Sequence, residues 1–218
     1  MTMIRTVAIV GAGQMGAGIA QAVAGGGYEV RLYDASSDRL PQAVATVAAS
    51  LARLVERTVM TQAEADAVLG RIHTVSTIAE VGAADLVIEA AVENEAVKKA
   101  IFVALTPHLQ PHTLLASNTS SISITRLASA TDRPERFIGL HFMKPAPVMK
   151  LVEIIRGIAT SADTYAVAVA FAESLGKTTT NAEDFPAFIV NRILVPMINE
   201  AIYTLYEGVG NVASIDTA

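Results

Sequence analysis

Chemically reactive side chains follow several strand-like apolar runs in this chain. Glu89 closes one run, with Glu93 and Lys98 shortly after it; the polar residues 117–121 follow a second run, and His141 ends a third. Imidazole titrates near neutral pH, so a histidine suits the removal of a proton from a substrate hydroxyl. Because ligands bind beyond the carboxyl ends of the strands in an open parallel sheet, we expect these side chains to share one crevice.

Each of these residues also has a structural interpretation. Ser121 or Ser123 would cap the helix that follows, and Glu93 and Lys98 would be solvated helix residues. Taken alone, His141 would be a hydrogen-bonded core histidine. The other three histidines have no metal-ligating partner at a useful spacing, so no metal site is predicted.

The most specific local motif is G-x-G-x-x-G over residues 11–16, between a strand-like run and a helical pattern. The first glycine allows a tight turn, the second leaves room for a pyrophosphate, and the third lets the helix pack close to the strand. The phosphates then meet free N–H groups at the helix N-terminus. The predicted dinucleotide-binding residues of this loop are Gly11, Gly13, Gln14, Met15 and Gly16.

Asp34 ends the second strand-like run, eighteen residues beyond Gly16. A carboxylate there accepts hydrogen bonds from the ribose hydroxyls and repels a 2′-phosphate, so the cofactor predicted is NAD rather than NADP. The alternative is that Asp34 only caps the helix that follows.

Alternating strands and helices position these residues. Strands are predicted near residues 5–10, 28–33, 72–75, 85–90, 114–116, 137–142 and 150–155, and helices over 14–24, 38–57, 61–69, 94–105 and 162–175. Thr61 and Glu64 form a capping box for the third helix. The pattern predicts an α/β fold, a doubly wound, mostly parallel Rossmann-type sheet, over residues 1–184.

Residues 185–218 are expected to begin an all-α domain that is incomplete. Apolar residues recur every four positions from Ile189 to Leu205, which is typical of a long helix. Pro186 is placed in its first turn and Pro196 is expected to kink it. Ser214 is predicted to cap a further helix.

Composition excludes several classes of protein. Sixteen basic and twenty-one acidic residues give a net charge of −5, which argues against nucleic-acid binding, and the absence of cysteine removes thiolate chemistry. With 52% hydrophobic residues the chain is not disordered. The apolar residues 7–30 contain many glycines and two glutamines, so they indicate neither a membrane span nor a signal peptide, and a cytoplasmic protein is expected.

Five stretches resemble the 3-hydroxyacyl-CoA dehydrogenases, most of all their short bacterial members. They are GAGQMGAGIAQ at 11–21, EAAVEN at 89–94, SNTSS at 117–121, GLHF at 139–142 and FIVNR at 188–192. The resemblance implies interconversion of (S)-3-hydroxyacyl-CoA and 3-oxoacyl-CoA with NAD. The expected substrate is 3-hydroxybutyryl-CoA, in fatty acid β-oxidation and butanoate metabolism, and the expected assembly is a homodimer formed through the helical domain.

The resemblance also implies residue roles. His141 would be the general base, held by Glu153, with Ser120 and Asn191 hydrogen-bonding the substrate oxygen. In hydrolase triads such a carboxylate fixes the tautomer of the histidine and stabilises the imidazolium. The implied NAD contacts, besides the glycine loop, are Asp34, Glu93, Lys98, Asn118 and Lys144, and the implied coenzyme A contacts are Ser50 and Arg57.

Two departures from the family pattern leave alternatives open. Lys144 stands where the family has asparagine near the nicotinamide; close to NAD⁺ a cation would disfavour the oxidised cofactor, whereas a solvent-facing lysine would not. The family also continues well beyond residue 218. A catalytically silent protein that binds NAD or acyl-CoA is therefore one alternative. A dehydrogenase of free hydroxyacids is another, although no motif for its lysine base is found.

Overall fold

A computed structural model describes residues 4–218 of the chain. One sheet of eight strands has the order β3-β2-β1-β4-β5-β6-β7-β8, and only the β6–β7 pairing is antiparallel. The strands are β1 Thr6–Val10, β2 Glu29–Tyr33, β3 Ile72–Thr74, β4 Leu86–Glu89, β5 Leu114–Ser117, β6 Phe137–Phe142, β7 Leu151–Arg156 and β8 Thr178–Glu183.

Helices cover both faces of this sheet, so the expected doubly wound, mostly parallel α/β fold is confirmed. They are α1 Gln14–Gly25, α2 Arg39–Glu56, α3 Gln62–Gly70, α4 Ile78–Gly82, α5 Glu95–Leu105, α6 Ile124–Ala128, α7 Ala162–Ser174, α8 Val190–Tyr206 and α9 Val212–Thr217. The predicted capping box of Thr61 and Glu64 is present at α3.

Alternation along the central strands builds two hydrophobic clusters. In β1, Val7 and Ile9 face a cluster with α1, α2, α3 and α7, whereas Ala8 and Val10 face a second cluster with α4, α5 and α6. These four side chains are at most 3% exposed. A strand buried on both faces has to be apolar throughout, which explains its unbroken apolar sequence.

The crevice of the fold lies at the carboxyl ends of β1 and β4. From β1 the chain crosses to β2 on one side, while β4 and the later strands lie on the other side. The turns after these two strands therefore diverge and leave a cleft, which is the usual ligand site of such a sheet. The polar residues at and just after the carboxyl ends of β4, β5 and β6 all lie at this end of the sheet.

Two local expectations are wrong, and one strand has no counterpart among the predictions. Residues 178–183 form β8, a strand that was not predicted, and it extends the sheet beyond β7. The long helix begins at Val190 rather than at Pro186, because Ala187 and Phe188 adopt φ values of 69° and 51°, which are not helical. Asn211, not Ser214, caps α9, since its side chain accepts a hydrogen bond from the Ser214 N–H.

The helical segment formed by α8 and α9 contains no buried residue. Helix α8 runs without interruption through Pro196. Apolar side chains along it are widely exposed, from Leu194 at 40% to Tyr206 at 84%. Within residues 4–218 no helix combines the length and the apolar character needed to cross a bilayer.

Candidate active site

The centre of the site is a line of hydrogen bonds through His141, at the end of β6. Its Nδ1 lies 2.7 Å from Glu153 Oε2, and its Nε2 lies 3.0 Å from Ser120 Oγ. Because β7 runs antiparallel to β6, Glu153 is the direct cross-strand partner of His141. An ionised carboxylate only accepts, so Nδ1 carries the proton and Nε2 presents its lone pair to the Ser120 hydroxyl.

The start of α8 completes the environment of this pair. The other oxygen of Glu153 accepts hydrogen bonds from the backbone N–H groups of Ile189 and Val190, at 3.0 and 2.9 Å. The Phe188 ring packs edge-on against the imidazole of His141 with the centroids 5.7 Å apart. The left-handed backbone at Phe188 turns the chain so that these amides face the carboxylate; such strain persists only where surrounding contacts enforce it.

Glu93 holds the turn that carries Ser120. Its Oε1 accepts hydrogen bonds from Thr119 Oγ1 at 2.6 Å and from the Ser120 N–H at 2.9 Å, and both donors of Ser121 reach the same oxygen at 3.2 Å. Burial raises the pKa of the Glu93 carboxyl, but these hydrogen bonds and the charge of Lys98 outweigh it and hold the pKa below its ordinary value. Of the two candidate caps, Ser123 is the one that caps α6.

Lys98 is not a solvated helix residue, so that alternative is wrong. It is 1% exposed and its Nζ lies 2.7 Å from Glu89 Oε1 and 3.4 Å from Glu93 Oε2. Its ammonium group is therefore held between two carboxylates on the inner side of the turn. A direct contact between Lys98 and the cofactor stays a prediction.

The glycine loop has the shape that a dinucleotide requires. A Cβ on Gly11, where φ is 110°, would lie 2.6 Å from Ala90 O, and one on Gly16 would overlap the Gly11 carbonyl. Gly13, by contrast, faces open space, since a Cβ there would have no neighbour within 4 Å. No side chain caps α1. The loop therefore offers an uncapped helix N-terminus beside a clear surface, which fits the pyrophosphate of NAD.

Asp34 is tied to this loop and does not cap α2, whose N-cap is Asp38. One Asp34 carboxylate oxygen accepts a hydrogen bond from the Ala12 N–H at 2.8 Å and the other from the Ser36 N–H at 2.9 Å. Each oxygen has a remaining lone pair, so the carboxylate keeps the capacity to accept from ribose hydroxyls.

Asn118 and Asn191 each hydrogen-bond to the backbone beside the site. Asn118 Oδ1 accepts a hydrogen bond from the Phe142 N–H at 2.9 Å, which joins the ends of β5 and β6. Asn191, in the first turn of α8, directs Nδ2 to the Ser120 carbonyl at 3.5 Å. Both residues expected to take part in binding thus lie beside the hydrogen-bonded line through His141.

Other predicted contacts are not brought into this line. Ser50 and Arg57 lie on α2 and at its C-terminal cap, two turns apart on one side of the helix. Lys144 is exposed in the loop after β6. Their roles toward coenzyme A and NAD stay predictions.

Comparison with known proteins agrees with this geometry. The family model "3-hydroxyacyl-CoA dehydrogenase, NAD binding domain" matches residues 6–185, and "3-hydroxyacyl-CoA dehydrogenase, C-terminal domain" matches residues 188–218. A 3-hydroxybutyryl-CoA dehydrogenase of Bradyrhizobium diazoefficiens is 56% identical over 99% of this chain and 74% of its own length. The human mitochondrial hydroxyacyl-coenzyme A dehydrogenase is 41% identical over 99% of this chain and 71% of its own length.

A solved structure is similar to this chain over nearly its whole length. The crystal structure of (S)-3-hydroxybutyryl-CoA dehydrogenase PaaH1 from Ralstonia eutropha superposes with a TM-score of 0.93 at 47% identity, covering 97% of this chain and 75% of that one. The fold and the site define an NAD-dependent oxidoreductase with a Rossmann-type sheet. More particularly, the chain belongs to the 3-hydroxyacyl-CoA dehydrogenase family and is an NAD-dependent enzyme of that family, as the resemblance implied.

Sequence reasoning missed several residues that shape the site. The Phe188 ring packs on the imidazole of His141. The backbone N–H groups of Ile189 and Val190 donate hydrogen bonds to Glu153, and the Thr119 hydroxyl donates one to Glu93. Glu89, at the end of β4, has no predicted role. The stretch at residues 188–192 was a usable signal, although it drew attention to Asn191 and not to the backbone before it.

Proposed function

We propose that this chain interconverts (S)-3-hydroxybutyryl-CoA and acetoacetyl-CoA, with His141 as the general acid and base. The observation that carries the proposal is the hydrogen-bonded line from Ser120 Oγ through the imidazole to Glu153. It supplies an imidazole whose Nδ1 pairs with a carboxylate and whose Nε2 faces a hydroxyl, which is the arrangement that proton removal from an alcohol requires.

The substrate C3 hydroxyl replaces the Ser120 hydroxyl as the donor to Nε2 of His141, its proton moves to that nitrogen, and the C3–H bond breaks as the C=O bond forms. When bound, NAD supplies the acceptor for the departing hydride. Glu153 then stabilises the imidazolium, because its carboxylate lies 2.7 Å from Nδ1. In the reverse direction Ser120 and protonated His141 donate hydrogen bonds to the keto oxygen.

The ligand contacts are proposed as the resemblance implies them. Asp34 would accept from the adenosine ribose, and Glu93, Lys98, Asn118 and Lys144 would line the cofactor side of the crevice. Asn191 would assist Ser120 at the substrate oxygen. Ser50 and Arg57 would contact coenzyme A; the exposed guanidinium of Arg57 suits a phosphate.

The decisive experiment is NADH oxidation in the presence of acetoacetyl-CoA, measured for the His141→Ala variant. Loss of a general acid or base typically costs about 10²- to 10⁴-fold in rate. His112→Ala is a matched control, because His112 Nε2 also pairs with a carboxylate, Asp85 Oδ1 at 2.9 Å. This pair lies at the amino-terminal ends of β4 and β5, away from the crevice. Equal rates for wild type and His141→Ala would refute the proposed role.

We further propose that the chain forms a homodimer through a helical domain that begins at residue 185, with residues 1–184 as the NAD-binding domain. The exposed apolar side chains of α8 support this proposal, because an apolar surface of that extent is normally covered. Sedimentation equilibrium of the purified chain tests it: a monomer at micromolar concentration would refute the assembly without affecting the proposed chemistry.

A further inference from the structure

A buried ion pair lies under the turn that carries Ser120, and the proposed chemistry leaves one of its members without a role. Glu89 is 0% exposed and Lys98 is 1% exposed, and Glu89 Oε1 lies 2.7 Å from Lys98 Nζ. The Glu89 carboxylate also accepts hydrogen bonds from the Ala91 N–H at 2.7 Å and the Ser117 hydroxyl at 2.6 Å. Because its side chain is fully buried and both of its oxygens are hydrogen-bonded within the protein, Glu89 does not contact a ligand directly.

The position of Lys98 follows from this coordination. Its Nζ is closer to Glu89, at 2.7 Å, than to Glu93, at 3.4 Å. Without the Glu89 charge, the ammonium would be balanced by Glu93 alone. With it, the three formal charges of the cluster sum to −1, and the Glu93 side chain, 41% exposed, is the only one of the three that reaches solvent.

The cluster lies at the floor of the cofactor crevice. Ala90, next to Glu89, is the backbone against which a Cβ on Gly11 would collide, and the Ala90 N–H donates to Val10 O at 2.7 Å. On its other side, the Asn118 N–H donates to Glu89 O at 2.8 Å. Glu89 thus lies between the glycine loop and the strand end that leads to Ser120.

We propose that Glu89 is a positioning residue that sets the charge of the cofactor crevice. By retaining Lys98 on the inner side of the turn, it leaves the negative charge of Glu93 facing the cofactor. A Glu89–Lys98–Glu93 cluster of net charge −1 beside the nicotinamide favours NAD⁺ over NADH, because only the oxidised nicotinamide ring carries a positive charge. This inference rests on the proposed function, in which Glu93 lines the cofactor side of the crevice.

The measurement is the Kd for NAD⁺ divided by the Kd for NADH, without acyl-CoA. Calorimetry gives the two constants, and quenching of NADH fluorescence gives the second independently. Glu89→Gln brings the cluster charge from −1 to 0 and is expected to raise the ratio about three- to tenfold, the effect of one partly screened charge. Lys98→Met brings it to −2 and shifts the ratio in the opposite direction. The double variant Glu89→Gln/Lys98→Met restores −1, so its ratio is expected to return to within about twofold of wild type.

Two further variants keep the test informative. Glu89→Gln leaves Lys98 buried with a single partner and can fail to fold, whereas the double variant removes both charges of the pair, a change that proteins often tolerate. Glu93→Gln, at a partly exposed side chain, is expected to raise the ratio as Glu89→Gln does. Glu95→Gln is the control, because it removes a carboxylate from α5, the helix that carries Lys98. The partners of Glu95, Lys99 and Arg126, lie on the outer surface, so the ratio should not move.

A purely structural role for Glu89 predicts a different pattern. Both cofactor forms would then bind more weakly by the same factor, the ratio would stay constant, and the double variant would not restore binding; this result, or an unchanged ratio in Glu93→Gln, overturns the inference. Failure of the proposed function is distinguishable, because it would appear as wild-type kinetics insensitive to His141→Ala while the charge variants still shift the ratio.

Discussion

Replacing Glu153 with glutamine tests how the line of hydrogen bonds sets the state of His141. One Glu153 oxygen accepts from Nδ1 of His141, and the other accepts from the amides of Ile189 and Val190. A glutamine has one accepting oxygen and one NH₂ donor, so it cannot satisfy both sides. The orientation that keeps the two backbone bonds directs its NH₂ group at Nδ1, which forces the proton onto Nε2.

The expected result is a large loss of turnover with little change in cofactor binding. A histidine protonated at Nε2 has no lone pair facing the substrate hydroxyl, and the equivalent carboxylate-to-amide change in hydrolase triads lowers kcat about 10⁴-fold. We expect a loss of about 10³- to 10⁴-fold for Glu153→Gln, since the cause is the same trapped tautomer. The free energy of unfolding should fall by about 2 kcal/mol because charge-assisted hydrogen bonds are lost.

The assay combines three measurements on the same preparations. Turnover is followed as loss of NADH absorbance with acetoacetyl-CoA, binding as quenching of NADH fluorescence, and stability by calorimetry, where about 2 kcal/mol corresponds to a Tm lower by about 4–8 °C for a chain of this size. Glu173→Gln on the exposed side of α7 is the charge-matched control. A kcat within tenfold of wild type for Glu153→Gln, in a folded protein that binds NADH, would refute the tautomer argument.

Two further predictions concern the glycine loop and the junction with the helical segment. Gly13→Val should keep the Tm, because the residue faces open space with φ −73° and ψ −172°, but it should weaken NADH binding at least about tenfold by blocking the pyrophosphate. Gly16→Ala should lower the Tm sharply, since its Cβ would overlap a backbone carbonyl. The opposite pattern of Tm and NADH binding would contradict the fit of the loop to a dinucleotide. Asp184 accepts three hydrogen bonds from Ser123 and the first turn of α6; burial raises the pKa of its carboxyl, but these bonds outweigh it and hold the pKa below the ordinary 3.8. The stabilisation that ionised Asp184 provides is therefore complete above pH 3.8 and is lost as the pH falls through the lower pKa of the folded state. Asp184→Asn should lower the free energy of unfolding by about 1–3 kcal/mol at pH 7 and by less in acid. Urea unfolding at both pH values checks this, and an equal loss at both would contradict it.

Much of the α/β architecture could be predicted from the sequence because its signals are local. The apolar run before Gly11, the glycine spacing and the acid at Asp34 describe one strand-turn-helix-strand unit, and each feature depends only on neighbouring residues. The capping box of Thr61 and Glu64 is local in the same way. Strand β8 was missed because its sequence, TTTNAE, is polar and lies at the edge of the sheet, where no apolar pattern is required.

The wrong start of the long helix has a tertiary cause. Pro186 at a first helical turn is locally favourable, but the chain instead takes left-handed backbone at Ala187 and Phe188. That conformation is unfavourable for a bulky residue such as phenylalanine and is compensated by distant contacts, namely the ring packed on His141 and the amides directed at Glu153. No local propensity contains this information.

The sequence by itself determined which reactive groups stand at the ends of the strands and, through the glycine loop and Asp34, the cofactor class, whereas the pairing of His141 with Glu153 was implied only by the family resemblance. Only the tertiary structure decided how the donors and acceptors are shared: that Glu153 serves both the imidazole and the first amides of α8, and that Lys98 is enclosed between Glu89 and Glu93. The physical reason is range. Strand and turn patterns arise from neighbouring residues, whereas the partner of a buried polar group is chosen by segments that are far apart in the chain and meet only in the folded sheet.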